Sequence, residues 1–346
     1  MKCNQPIVPL AQATQPLFLG VDVGGTNIKI GLVDDAGHTL GYEQIETLEP
    51  AGPDQAVART VEALQRICNS CGASASDVAR VGLGVPGTMD LPRGMFLQPM
   101  NLPSWWEYPV RDRLQAAIKL PVSFVNDANA ASYGEFWIGS GEKYPSLVLL
   151  TLGTGVGGGI IVDGHLINGV NSFGSECGHV IVDCRPDARL CTWGGGRGQL
   201  EAYASASAVA QRAEEGLRHG RTSSLTRLLM HGKAITAKRI YDAAEQGDAF
   251  ALEIIDEAAF YLGIGVTNMV HTIDPGIVVL GGAMNFGGTK SPVGRRFIDK
   301  IRQVFAERTF PNVRDGTVIE FATLGADAGY IGAAGYARKE FKQSAS

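Results

Sequence analysis

Apolar residues in this chain fall in runs of strand length, each closed by a knot of glycines or an Asp-Gly pair. Leu17 to Val23 is one such run. Gly24, Gly25 and Thr26 follow it, then a second run to Val33, an Asp-Ala-Gly turn and a third run. That order predicts an antiparallel meander of three strands. Over residues 54–72 the period changes, and Val57, Val61, Leu64 and Ile67 mark one face of a helix. A strand ending in the Gly-Val-Pro-Gly of 84–87 comes next, then a Pro- and Trp-rich loop over 102–108 and a helix near 110–118. The strand PVSFVND then runs straight into a helix at Asn126-Asp127.

The second half restarts with the same grammar. Residues 146–167 read as strand, glycine turn and strand, with Asp163-Gly164 as the acidic turn. One supersecondary pattern therefore recurs about a domain-length apart. A loop-rich stretch carrying Glu176, His179 and a glycine cluster at 194–198 leads into helical sequence over about 203–272. Asp274-Pro275-Gly276 stops that helix, and a strand ends at Gly281-Gly282. The C-terminal helix is rich in small residues, which suits close packing on the first domain. The expected organisation is a flexible arm over 1–16, an N-terminal α/β domain over 17–124 completed by 325–346, and a larger C-terminal α/β domain over 125–324.

At 346 residues and 45% hydrophobic content the chain has material for two cores. A net charge of −5 argues against a nucleic-acid partner, though backbone N–H groups bind small phosphates without any positive excess. The 45 glycines follow no G-X-Y period, which excludes collagen. Six cysteines are too sparse for a disulfide framework. The N-terminal apolar stretch, Ile7 to Leu10, is short and contains Pro9, so it lacks a secretory core. No stretch approaches the roughly 18 apolar residues of a membrane span. A cytoplasmic protein with no membrane partner is expected.

Two turns carry the candidate chemistry: Asp22-Val23-Gly24-Gly25-Thr26 with Asn27, and Gly153-Thr154-Gly155. A Gly/Thr hairpin turn aims several N–H groups and a hydroxyl one way and so forms an anion cradle. Two such turns, each opening an α/β unit, suggest a phosphate chain gripped from both sides. Gly153, Gly155 and Gly158 also spell G-x-G-x-x-G, but a strand follows them where a dinucleotide site needs a helix. Neither a G-x-x-x-x-G-K-[ST] run nor an H-R-D loop occurs. Asp22 would hold Mg²⁺ on a nucleotide, through water. Asp127, at the carboxyl end of a strand, is either a helix cap or the carboxylate that takes the proton of an attacking hydroxyl. Glu176, His179 and Glu201 suit the hydroxyls of a sugar. Cys184 and Cys191 follow His179 in sequence and raise the question of a structural zinc.

Together VDVGGTNIKIGLVD, GVPG, NDANAA, LGTGVGGGII, E-x-G-H from Glu176 to His179 and the glycine stretch ending at Glu201 resemble the ROK family. That family groups bacterial sugar kinases with sugar-responsive repressors. The resemblance runs from Leu17 to Tyr336. It implies a two-domain actin/hexokinase-type (ribonuclease H-like) α/β fold with ATP and sugar meeting in the interdomain cleft. It implies Asp127 as catalytic base toward a 6-hydroxyl, and Asn101, Asn126, Asp127, Glu176, His179 and Glu201 as sugar contacts. Asp22, Gly24, Gly25, Thr26, Asn27, Gly153, Thr154 and Gly155 fall at the phosphate sites, and Gly281-Gly282 on the adenosine side. The set resembles the glucokinase arrangement, so glucose is the expected hexose. N-acetylglucosamine, N-acetylmannosamine, fructose or mannose as acceptor, and polyphosphate as donor, remain alternatives. Relatives are often homodimers, and the same is expected here. A regulator would need a helix-turn-helix, and some sixteen residues precede the first strand.

One stretch departs from the pattern. Where the family carries C-x-C-G-x-x-G-C-x-E and a structural zinc, Trp193 and Gln199 replace the second and third cysteines, with one residue added. Only His179 and Cys191 remain of four ligands, with Cys177 and Cys184 as conceivable substitutes, so zinc is not expected. His179 must then be held by hydrogen bonding and packing, with Trp193 a candidate to fill the space.

Overall fold

The structure, a computed structural model, describes residues 3–191 and 196–345. Trp193 and the glycines at 194 and 195 lie outside the described residues. The first half builds β1 (Leu17–Val23), β2 (Asn27–Val33), β3 (Thr39–Glu46), α1 (Pro53–Cys71), β4 (Val78–Val85), β5 (Met89–Asp90), β6 (Met95–Phe96), α2 (Val110–Ile118), β7 (Val122–Asn126) and α3 (Asp127–Ile138). β1 is buried along its whole length except at Asp22. A run this apolar needs cover on both faces of the sheet. Leu17, Leu19 and Val21 pack with α1 and α2, while Phe18 packs with the C-terminal helix.

The second half adds β8 (Leu147–Leu152), β9 (Val156–Val162), β10 (His165–Leu166), α4 (Glu201–Ala204), α5 (Ala206–Arg218), α6 (Thr226–Met230), α7 (Ala237–Glu245), α8 (Ala249–Ile273), β11 (Ile277–Gly281), α9 (Pro292–Ala306), α10 (Pro311–Gly316), β12 (Val318–Phe321) and α11 (Ala328–Ala345). The sheet orders are β3-β2-β1-β4-β7 and β10-β9-β8-β11-β12. Each begins as an antiparallel meander and continues with parallel strands. The recurrent pattern seen in the sequence is therefore a repeated topology.

α3 and α11 join the halves. α3 packs on α11 and on β8 and β9, and α11 lies across β1, β2 and β4. The small residues permit this. A Cβ at Gly20 or Gly82 would strike the carbonyl oxygens of Tyr330 or Ala333, so the helix backbone rests almost on the sheet. Ahead of β1, the N–H groups of Asn4 and Gln5 donate to the buried Asp327 carboxylate at 2.7 and 3.1 Å, which docks the start of the chain beside α11. All six cysteines are free thiols. No described helix is long and apolar enough to cross a membrane.

Candidate active site

The carboxyl end of β7 and the start of α3 place Asp127. Asn126 caps the helix, its Oδ1 accepting from the N–H groups of Ala128 (2.9 Å) and Asn129 (3.2 Å). Capping is thus the neighbour's work, and Asp127 is the first helical residue. The Ala128 N–H also donates to Asp127 Oδ1 at 2.8 Å. Burial pushes the Asp127 carboxyl up to about 7, the charges of Asp22 and Glu176 add to the rise, and the Ala128 hydrogen bond opposes it. A carboxyl poised there exchanges protons near neutral pH.

Asp127 borders a cavity of about 310 Å³. Asn126, Gly153, Gly155, Glu176, His179, Glu201 and Gly282 line the same space, with Gly87, Gly174 and Ser175. Residues up to 195 positions apart in the chain are gathered by the ends of β4, β7, β8 and β11, by β9 and by the loop leading into α4. Glu201 ties the second glycine turn to the site: its Oε2 accepts from the Val156 N–H at 2.9 Å, and its Oε1 from the Cys191 thiol at 3.1 Å. A Cβ on Gly155 would strike Glu201 Oε2, so a larger residue there would displace that carboxylate. His179 presents Nε2 to Glu176 Oε2 at 3.6 Å and Nδ1 to Gln199 Oε1 at 3.4 Å. Glu176 is raised by burial first, with His179 opposing and Glu201 adding.

The first turn closes through a hydrogen bond from the Gly24 N–H to the Asn27 carbonyl at 2.9 Å. Gly25 and Thr26 are exposed on it. Asp22 lies beneath the turn with Lys29 Nζ 3.7 Å away, and burial raises its carboxyl against the pull of that lysine. Lys29 gives no sequence signal, because a lysine alternating with apolar residues reads as an ordinary solvent-facing strand position. Asn101 is exposed and does not border the cavity; it packs beside Gly25, its Cβ 3.4 Å from where a Cβ there would lie. It therefore accompanies the first turn.

A second cavity of about 460 Å³ adjoins the other turn, sharing Gly153 and Thr154. Its walls are Ala206, Ala237, Lys238, Tyr241 and the run from Ala283 to Gly287. Gly281, expected on the adenosine side, is instead the buried last residue of β11 and borders neither cavity. The residues after Gly282 line the second cavity instead, because the end of the strand still belongs to the core. Position after a strand end could have pointed to Ala283–Gly287. Lys238 and Tyr241 sit on α7 and carry no such sign.

A family model, described as the ROK family, matches residues 18–340. A glucokinase of Halalkalibacterium halodurans is 36% identical over 91% of this chain and 93% of its own length. A xylose repressor of Caldicellulosiruptor bescii is 30% identical over 85% of this chain and 71% of its own. Among solved structures, a ROK hexokinase from Thermus thermophilus superposes with a TM-score of 0.79 at 29% identity, covering 94% of this chain and 99% of that one. A ROK family glucokinase from Streptomyces griseus, solved with glucose and AMPPNP, gives 0.74 at 32% identity over 93% and 99%. The two-domain actin/hexokinase-type fold expected from the sequence is the fold found.

Proposed function

The chain belongs to the ROK family and is a sugar kinase, and from that premise we propose that it transfers the γ-phosphoryl group of ATP to the 6-hydroxyl of glucose. The observation carrying this reading is Asp127: a carboxyl poised near neutrality, on the cavity that also holds Glu176, His179 and Glu201. As the bond from the sugar oxygen to phosphorus forms and the bond to the ADP oxygen breaks, the hydroxyl proton passes to an oxygen of Asp127. Asn126 spends its carbonyl oxygen on the helix cap, which leaves its amide nitrogen as a donor. Glu201 is an acceptor-only carboxylate on the same cavity and suits the hydrogen of a sugar hydroxyl. The two glycine turns offer N–H groups to the phosphates, and closing of the halves on the sugar would exclude water as a competing acceptor.

Asp22 suits Mg²⁺ carried in with ATP, because its charge, which raises Asp127, would be offset by a nearby cation. When bound, that ion neutralises phosphate charge. The largely apolar wall from Ala283 to Phe286 with Tyr241 supports a nucleoside donor over polyphosphate, which has no base to fill it. With purified protein, a coupled ADP-release assay over glucose, mannose, fructose, N-acetylglucosamine and N-acetylmannosamine should give the highest kcat/KM for glucose, and EDTA should abolish turnover. Turnover on none of the five would end the kinase reading; a different leading hexose would end only the glucose assignment.

A further inference from the structure

We infer that Gln199 is a positioning residue for His179, taking the place of a structural zinc in a loop that polar contacts hold closed without metal. A zinc site needs four ligands in tetrahedral array, and among the described residues no group of three or more His, Cys, Asp or Glu side chains is placed to hold a metal. The four residues between Cys191 and Gly196 are Thr, Trp, Gly and Gly, none of them a customary zinc ligand. Cys191, the cysteine that remains of the family pattern, donates its thiol to Glu201.

The amide of Gln199 meets the one requirement that a metal would otherwise serve. Its Oε1 lies 3.4 Å from His179 Nδ1. A carbonyl oxygen can only accept, so this pairing places a proton on Nδ1 and turns Nε2 to the cavity side, 3.6 Å from Glu176 Oε2. Room for the amide is built in: a Cβ on Gly196 would come within 2.7 Å of Gln199 Nε2 and 3.2 Å of Oε1. A larger residue there would dislodge the amide.

The loop itself is closed by other means. The Val182 N–H donates to the Gly198 carbonyl at 2.8 Å, Gly198 to Arg189 at 2.9 Å, and Leu200 to Val180 at 2.9 Å, pairing its two sides. Asp183, nearly buried, accepts from the Tyr203 hydroxyl at 2.6 Å and from Arg185 at 2.7 Å. Arg189 grips Glu215 through two hydrogen bonds at 2.7 and 2.9 Å. These contacts join the loop to α4 and α5, which is the anchoring that a metal gives smaller loops.

The test pairs metal content with the state of His179, and only its kinetic part rests on the kinase reading. Wild-type protein grown with added zinc should carry far less than one zinc per chain and melt at the same temperature with and without 1,10-phenanthroline. In ¹⁵N-histidine NMR, with the signal identified by its loss in His179→Ala, His179 should show the Nδ1–H tautomer, and Gln199→Met or Gly196→Ala should disturb it. Gln199→Met should raise the glucose KM roughly fivefold, the usual worth of one neutral hydrogen bond, and leave the ATP KM unchanged. Stoichiometric zinc whose removal lowers the melting temperature would overturn the inference. So would a tautomer indifferent to both substitutions. Should no sugar be turned over at all, the metal and tautomer results still decide it.

Discussion

Replacing Asp127 with alanine is expected to lower kcat about 10²- to 10⁴-fold, the range for loss of a general base, while the sugar still binds. The substitution leaves the helix start intact, because Asn126 supplies the cap and alanine is a good helix former. Glu176, His179 and Glu201, which would hold the sugar, are placed by other elements. A reaction in which positioning and phosphate neutralisation do most of the work would retain some rate, and hence the lower bound. The pH dependence has a definite sign. Asp127 must be ionised to accept a proton, and in the free protein its carboxyl sits at about 7, held up by burial and by the charges of Asp22 and Glu176. Wild-type kcat/KM should therefore fall as pH drops below about 7, and the Asp127→Asn protein should lose that limb. Stopped-time ADP release with calorimetric sugar binding would check both. An Asp127→Ala protein with undiminished kcat would remove the residue from the role.

The second large effect concerns stability. Glu135, on α3, is fully buried, and its two oxygens accept from the N–H groups of Ser140 (3.0 Å), Thr323 (3.2 Å) and Leu324 (2.8 Å) and from the hydroxyls of Ser140 and Thr323. It thereby pins the end of α3 to the segment that enters α11. Glu135→Ala would strand these donors away from water, at about 1–3 kcal/mol for each buried group left unpaired. We expect a loss of about 3–5 kcal/mol, read as a melting temperature lower by roughly 5 °C. Glu135→Gln should fare little better, since it turns an amide NH₂ toward groups that are themselves donors. Glu142→Ala, an exposed control nearby, should melt as the wild type does. A Glu135→Ala protein within a degree of wild type would show that water or rearrangement satisfies the donors.

What was readable in advance follows from how local each requirement is. The meanders were legible because a strand between two layers needs an unbroken apolar run and its turn needs small residues, and both demands lie within ten residues. The small-residue C-terminal helix was legible in kind, since nothing bulky could approach Gly20 and Gly82 so closely. Asp127, Glu176, His179 and Glu201 could be named from their motifs, although their convergence on one cavity is a property of the folded chain. Hidden were pairings across long separations. The Glu135 network reaches 188 residues along the chain to Thr323, and Tyr241 meets the Ala283–Gly287 run through the packing of α7. Two of the positions named from motifs lie off the cavities. Gly281 is the buried last residue of β11, and Asn101 lies beside Gly25 on the first turn, placements that depend on the folded chain.

A structure of the protein bound to glucose and a non-hydrolysable ATP analogue tests the account most directly. The account predicts the sugar 6-hydroxyl within hydrogen-bond distance of the Asp127 carboxylate. It also predicts the γ-phosphate between the turns at 24–27 and 153–155, with the base against Tyr241 and Phe286. A sugar whose 6-hydroxyl lies beyond reach of Asp127, or phosphates held by one turn alone, would contradict it.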